Sequence, residues 1–325
     1  MQYANLGRSG LKVSRICLGG NSWGAAGKRS WAPFDAEASG PFFKRALDKG
    51  INFFDTADIY NAGASEEVMG ACLLNLVPRE ELVIASKVGA PMSDKPNRSG
   101  LGRKHVMASI DATLKRLRTD YVDLYLIHRL DPSTPIEEIM AGFADIVRAG
   151  KARYIGASTM WAYQFARLQL FATANGLPPF IAMQNLYNLL YREEEREMIP
   201  FCREEGVGVT PYSPLARGVL AGTRSRAGGG ATERAREDKM AASYFSDDSF
   251  AIVDRVVALA KTRGVKPSQI ALAWLLHKPG LVAPVIGSTA PSQIDEAAEA
   301  TGIALSPEEM KSLEEPYKPR PVIGL

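Results

Sequence analysis

Three apolar runs in this 325-residue sequence end on a titratable side chain. One is Asn-Phe-Phe-Asp55, with Tyr60 five residues further on; the others are Val-Ile-Ala-Ser-Lys87 and Leu-Tyr-Leu-Ile-His128. Taken singly, each has an ordinary structural explanation. Asp55 can cap a helix or anchor a loop, Lys87 can end a strand in solvent, His128 can bond backbone in a core, and Tyr60 can simply pack. Taken together they make chemical sense. A buried lysine near an aspartate keeps its charge, and that charge lowers the pKa of a neighbouring phenol from about 10 toward neutrality. Such a tyrosine can give a proton to an oxygen that is gaining negative charge, while a neutral histidine orients that oxygen by hydrogen bonding. These are the groups needed to reduce a carbonyl with a hydride donor, because an alkoxide develops at the substrate oxygen.

The elements that must hold these groups alternate along the chain. Strand candidates are 16–20, 51–57, 82–87, 122–128, 152–158, 180–185, 207–213 and 282–288, with helical segments such as 35–50, 65–76, 104–117 and 136–150 between them. In 104–117, Val106, Ile110, Thr113, Leu114 and Leu117 share one face at helical spacing, with Lys115 and Arg116 outside. Gly50 and Gly150 stand where helices stop. Strand–helix alternation means parallel strands with crossover helices. Eight such units without a composition break predict an α/β fold, a closed (β/α)8 TIM barrel occupying 1–325 as one domain. Two insertions, 89–103 and 222–247, follow strands and fall on the C-terminal rim, where barrel active sites are built. Trp161 and Trp274 lie in helical patterns and read as core.

Several classes are excluded. At 46% hydrophobic and 23% charged residues, the composition is that of an ordinary globular protein, neither disordered nor fibrous. The longest apolar run, Ile270 to Leu276, falls far short of the roughly 18–20 residues that span a bilayer. The N-terminal MQYANLGRSGLKVSR lacks an apolar signal core, so the expected location is the cytoplasm. A net charge of +3 gives no reason to expect a nucleic-acid or membrane partner. Cys17, Cys72 and Cys202 form no C-x-x-C pair and read as buried apolar residues, and His105, His128 and His277 lack the spacing of a zinc site, so no metal is expected. The first strand runs into GGNSWGAAGKRS, which matches neither the G-x-G-x-x-G dinucleotide fingerprint nor a P-loop. No Tyr-x-x-x-Lys pair occurs, which removes the short-chain dehydrogenases.

Seven segments run in order across the chain: INFFDTADIYNAGASEEVMG (51–70), LVIASKVG (82–89), DYVDLYLIHRLDPSTPIEE (120–138), GKARYIGAST (150–159), MQNLYNLLYREEE (183–195), PYSPLARGVLAG (211–222) and VAPVIGSTAPSQIDEA (282–297). In these segments the sequence closely resembles the aldo-keto reductase superfamily, in the branch that holds aryl-alcohol dehydrogenases, potassium-channel β-subunits and related bacterial reductases. The resemblance implies a TIM barrel, an N-terminal β-hairpin closing its lower end, and a C-terminal helical tail. It also implies a nicotinamide cofactor bound without a Rossmann domain, and a catalytic tetrad of Asp55, Tyr60, Lys87 and His128.

By the same resemblance, Ser158 and Gln184 hold the nicotinamide carboxamide, with Thr159 where many relatives have Asn or Arg, and Tyr212 stacks on the nicotinamide ring. Ser213, Pro214, Leu215, Arg217 and Gly218 wrap the pyrophosphate. Gly20, Trp23 and Asp55 border the nicotinamide. At the adenosine end stand Ile286, Gly287, Ser288, Thr289, Gln293 and Glu296, with no cation among them. Arg224, Arg226, Arg234, Arg236 and Lys239 in the late loop are the expected partners of a 2′-phosphate, which favours NADPH with NADH as the alternative. The substrate is expected to be a small-molecule carbonyl compound, met by Trp23, Trp31, Tyr60, His128 and Tyr244. Arg129 is expected to pair with Asp131, the other option being an anionic substrate. The oligomeric state is left open. Two further readings of the resemblance are a cofactor-binding regulatory protein with slow catalysis and a dedicated sugar-phosphate or vitamin-aldehyde reductase.

Overall fold

The computed structural model describes residues 1–24, 35–224, 226 and 238–322. Two short strands, β1 (Tyr3–Asn5) and β2 (Lys12–Ser14), pair antiparallel as the expected hairpin. Eight parallel strands follow: β3 (Cys17–Gly19), β4 (Phe53–Asp55), β5 (Val83–Val88), β6 (Val122–Ile127), β7 (Ala152–Ser158), β8 (Phe180–Gln184), β9 (Gly208–Val209) and β10 (Val285–Ile286). The sheet order is β10-β3-β4-β5-β6-β7-β8-β9. Parallel bridges Val209–Leu281 and Tyr212–Val285 join its two edges, so the sheet curls round on itself. Seven of the eight strand candidates contain one of these strands, and the eighth, 82–87, falls one residue short of the end of β5. The architecture is that of a (β/α)8 barrel.

Helices α1 (Ala36–Asp48), α2 (Ala64–Leu73), α3 (Arg103–Leu117), α4 (Ile136–Arg148), α5 (Ala162–Ala174), α6 (Met198–Glu205), α7 (Asp247–Arg263), α8 (Pro267–His277), α9 (Pro291–Ala300) and α10 (Pro307–Glu314) lie between and after the strands. Their ends carry the expected chemistry. Asp35 accepts from the Ala38 N–H at the start of α1, and Ser306 and Glu309 form a capping box ahead of Pro307 in the tail helix α10. Gly70 is required by close packing: a Cβ there would lie 2.4 Å from the Leu117 carbonyl oxygen, so α2 and α3 meet backbone to backbone.

The period of two along the strands divides the core. Cys17, Phe53, Val83, Ala85, Leu124, Leu126, Ala182 and Val285 fill the barrel interior, where Leu6 and Val13 of the hairpin join them. Arg8 N–H donates to the Gly206 carbonyl, just ahead of β9, which places the hairpin at the N-terminal end of the strands. Phe54, Ile84, Tyr125 and Ile127 point the other way, into the layer between sheet and helices. Truncating a buried phenylalanine such as Phe53 to alanine in such a core costs roughly 3–5 kcal/mol.

Three details differ from the sequence expectation. Arg116 is not an outer residue of α3: its Nε donates to the fully buried Glu66 carboxylate at 2.6 Å. The apolar periodicity of α3 gave no sign of a buried acid on α2. Trp274 is buried as expected, but Trp161 is 46% exposed, because it caps α5 ahead of the helix's buried face. Arg129 and Asp131 do not pair. The Asp131 carboxylate accepts instead from the Leu101 N–H, Ser133 and Thr134, tying down the loop 89–103. The three cysteines are buried and free. No helix among the described residues is long and apolar enough to cross a membrane.

Candidate active site

Strand alternation brings the titratable side chains together. Phe53, Ala85 and Leu126 face the barrel interior, so Asp55, Lys87 and His128, each two residues further on, continue that face at the C-terminal ends of β4, β5 and β6. Lys87 Nζ donates to Asp55 Oδ1 at 2.5 Å, to the Thr56 carbonyl at 2.8 Å and to the Tyr60 hydroxyl at 3.3 Å. The side chains of this ion pair are 1% and 2% exposed. Burial works against the Lys87 charge, but Asp55 and Tyr60 outweigh it and hold its pKa above the ordinary lysine value. Gln184 Nε2 donates to the other Asp55 oxygen at 2.9 Å, so both carboxylate oxygens are occupied.

Tyr60 and His128 meet edge to face, with ring centroids 5.7 Å apart. Burial first, then the charges of Lys87 and Arg129, push the His128 pKa down to about 3, so the imidazole is neutral. Its Nδ1 is buried and has no hydrogen-bond partner among the described residues. The chain beyond Tyr60 turns sharply: Asn61 and Ala62 hold φ of 50° and 55°, and Gly63 follows at 96°. Asn61 Nδ2 donates to the Trp23 carbonyl at 2.5 Å and ties that turn to the first βα loop.

A cavity of about 760 Å³ opens over these groups, a size suited to a small-molecule or cofactor site. Its wall includes Asp55, Tyr60, His128, Ser158, Thr159, Gln184 and Tyr212. It continues along Ser213, Pro214, Leu215, Arg217, Gly218 and Arg224 to Ile286, Gly287, Thr289, Gln293 and Glu296. Thr159, Ser213, Ala216 and Arg217 have left-handed φ between 44° and 57°. Non-glycine residues in that region are strained by about 1–3 kcal/mol each and concentrate at functional sites. Ser158 Oγ donates to the Gln184 carbonyl at 2.8 Å, and Thr159 Oγ1 approaches the Tyr212 hydroxyl at 3.5 Å.

The remaining sequence candidates fall elsewhere. Among the described residues the cavity wall does not include Gly20, Trp23, Tyr244 or Ser288. Gly20 lies behind the wall, its N–H on the Asp55 carbonyl at 2.6 Å. Trp23 is fully buried against Phe43, with ring centroids 4.3 Å apart. Tyr244 is 2% exposed, and burial pushes its phenol up to about 12. Ser288 is buried and donates to the Ala290 carbonyl. Trp31, Arg234 and Arg236 lie outside the described residues. Arg226 reaches Asp254 at 2.6 Å.

The wall also holds residues that the sequence did not single out, among them Asn21, Ser22, Thr223, Lys266, Ser268 and Ser292. Lys266 supplies a cation at the end of the cavity lined by Gln293 and Glu296. It caps α8, and its Nζ and Ser268 Oγ both engage the Glu296 carboxylate. A single lysine ahead of Pro267 carries no pattern of its own; only the packing of α8 beside α9 brings it to the cavity.

The barrel, with its polar groups at the C-terminal strand ends beneath a long cavity, defines an α/β-barrel protein with a candidate active site on that rim. Residues 15–318 match the profile described as the aldo/keto reductase family. A versiconal hemiacetal acetate reductase of Aspergillus parasiticus is 43% identical, over 99% of this chain and 98% of its own. A Schizosaccharomyces pombe protein whose name assigns it provisionally to the aryl-alcohol dehydrogenases is 43% identical, over 99% and 97%. The aldo-keto reductase AMT2 of Alternaria alternata is 41% identical, over 99% and 93%. The chain belongs to the aldo/keto reductase family. It is thus an oxidoreductase of a family that acts on small carbonyl compounds and generally uses a nicotinamide nucleotide.

Proposed function

We propose that this protein reduces aldehyde or ketone carbonyls to alcohols with NADPH, with Tyr60 as the general acid. The observation that carries this reading is the buried Lys87 ammonium, held by Asp55 and directed at the Tyr60 hydroxyl 3.3 Å away. The residues present suit the cofactor chemically. Gln184 has its amide nitrogen committed to Asp55, which leaves its oxygen to accept from a carboxamide N–H, and Tyr212 offers an aromatic face on the cavity wall. Arg217, Arg224 and Lys266 supply positive charge along the rest of the wall, which favours a nucleotide carrying an extra phosphate. When bound, the reduced nicotinamide supplies the hydride that adds to the carbonyl carbon.

The side chains do the rest. As the hydride arrives, the carbonyl oxygen gains the electron pair of the C=O π bond and takes the Tyr60 phenol proton, giving the alcohol. The Lys87 ammonium stabilises the phenolate left behind, and Asp55 keeps that ammonium charged in a dry setting. Neutral His128, beside Tyr60, donates a hydrogen bond to the carbonyl oxygen and aligns it. The phenol regains its proton from solvent through the cavity mouth. One barrel domain carries all of these groups.

The test is NADPH oxidation with 4-nitrobenzaldehyde, followed at 340 nm. Tyr60→Phe is expected to lower turnover by about 10²–10⁴-fold, the usual contribution of a positioned acid, with NADPH affinity unchanged. Wild-type turnover in Tyr60→Phe overturns the assignment of the acid. Equal or better efficiency with NADH overturns the assignment of the nucleotide.

A further inference from the structure

Six formally charged side chains line the cavity among the described residues: Asp55, Arg129, Arg217, Arg224, Lys266 and Glu296. Five are engaged. Asp55 holds Lys87, Arg217 holds Asp238 at 2.8 Å, Arg224 donates to the Arg217 carbonyl, and Lys266 pairs with Glu296. Among the described residues Arg129 alone of the six makes no side-chain hydrogen bond or ion pair, although Asp131 lies two residues away. Asp131 is ionised, since the hydrogen bonds it accepts from Ser133, Thr134 and Leu101 outweigh the effect of burial and hold its pKa at about 2. Those same bonds occupy its carboxylate.

Arg129 also lies at the reacting end of the cavity. It follows His128 directly, and its charge is one of the three causes that keep that imidazole neutral. Its backbone carbonyl is close to Gly89, at the start of the 89–103 loop. Arg217, Arg224, Lys266 and Glu296 belong instead to the segments that follow β9 and to α8 and α9, away from β6 in the sheet order. An unmatched guanidinium beside the groups that align and protonate the carbonyl is suited to the substrate rather than to the cofactor phosphates. A guanidinium fork pairs with planar anions through two parallel hydrogen bonds.

We propose that Arg129 recognises a carboxylate carried by the carbonyl substrate, so that the protein selects carboxylate-bearing aldehydes or ketones over neutral ones of the same shape. This rests on the reductase reading above. A single cation matches the one negative charge of a carboxylate, while a phosphate dianion calls for further partners that this end of the cavity does not supply among the described residues.

The experiment compares kcat/KM with NADPH for 4-carboxybenzaldehyde, its neutral methyl ester and 4-formylphenyl phosphate, in the wild type, Arg129→Gln and Arg129→Lys. The wild type is expected to favour the carboxylate over the ester by about tenfold, the discounted value of a partly exposed charge-assisted pair. Most of that preference is expected to appear in KM. Arg129→Gln is expected to lose it, with kcat/KM falling much further for the carboxylate than for the ester, and Arg129→Lys to restore part of it. Turnover of both aldehydes with no charge preference, or a preference that survives Arg129→Gln, overturns the proposal and leaves the reductase reading standing. A phosphate favoured over the carboxylate overturns the choice of carboxylate. Turnover of none of the three sinks the reductase reading, and this proposal with it.

Discussion

The Lys87 ammonium and the Asp55 carboxylate form an ion pair 2.5 Å long with both side chains sealed from solvent. A pair of this kind adds little net stability, because desolvation offsets the attraction, but breaking it from one side strands a buried charge.

Asp55→Asn is therefore expected to destabilise the protein by about 3–5 kcal/mol, lowering Tm by roughly 4–7 °C. Adding Lys87→Met to that variant removes the stranded charge, so the double variant is expected to melt above Asp55→Asn alone. Differential scanning calorimetry checks both statements, and a double variant melting below the single one contradicts them.

His128, with its pKa down to about 3, carries no positive charge between pH 5 and 9. The pH profile of kcat/KM is expected to show no limb from this residue. His128→Gln should lower the rate without moving any existing limb. Linkage sets the sign for stability. The unfolded chain takes up a proton below the ordinary value of 6.5 and the folded chain does not. Stability is thus lost as pH falls from about 6.5 toward about 3. His128→Gln is expected to flatten that part of the Tm–pH curve.

Asp58, fully buried in the turn between Asp55 and Tyr60, behaves in the opposite sense. Burial first, then Glu66, raise its pKa to about 7. The Ile59 N–H favours its charged form without completing a hydrogen bond, and neither carboxylate oxygen has a partner among the described residues. The folded state holds a proton that the unfolded state releases above about pH 4, so this residue's contribution to stability declines between about pH 4 and 7. Asp58→Asn is expected to gain stability on the wild type as pH rises from 5 to 8. A Tm difference that stays constant over that range refutes the assignment.

Lys266 and Glu296 are paired on the cavity wall, at the end proposed to hold the adenosine. Lys266→Ala is expected to reduce the NADPH-over-NADH preference by about three- to tenfold, the range of a solvent-screened contact. Glu296→Gln frees the ammonium, removes the opposing charge and should raise that preference. Dissociation constants for both nucleotides, from quenching of protein fluorescence, decide the matter.

The amino-acid sequence by itself determined the strand–helix alternation, the barrel and the convergence of Asp55, Lys87 and His128. Each follows from local pattern, because a period of two carries the inward face of a strand to its last residue. Motif resemblance added Ser158, Gln184 and the wall from Tyr212 to Glu296. The tertiary structure decided what depends on distant segments. It turned Arg116 inward onto Glu66, sealed Trp23 and Tyr244 away from the cavity, brought Lys266 to its wall, and gave Asp131 to the 89–103 loop rather than to Arg129. Sequence spacing records which side chains a segment presents; whether a charge finds its partner depends on what other segments bring within a few ångströms, and the same is true of whether an aromatic ring reaches a cavity.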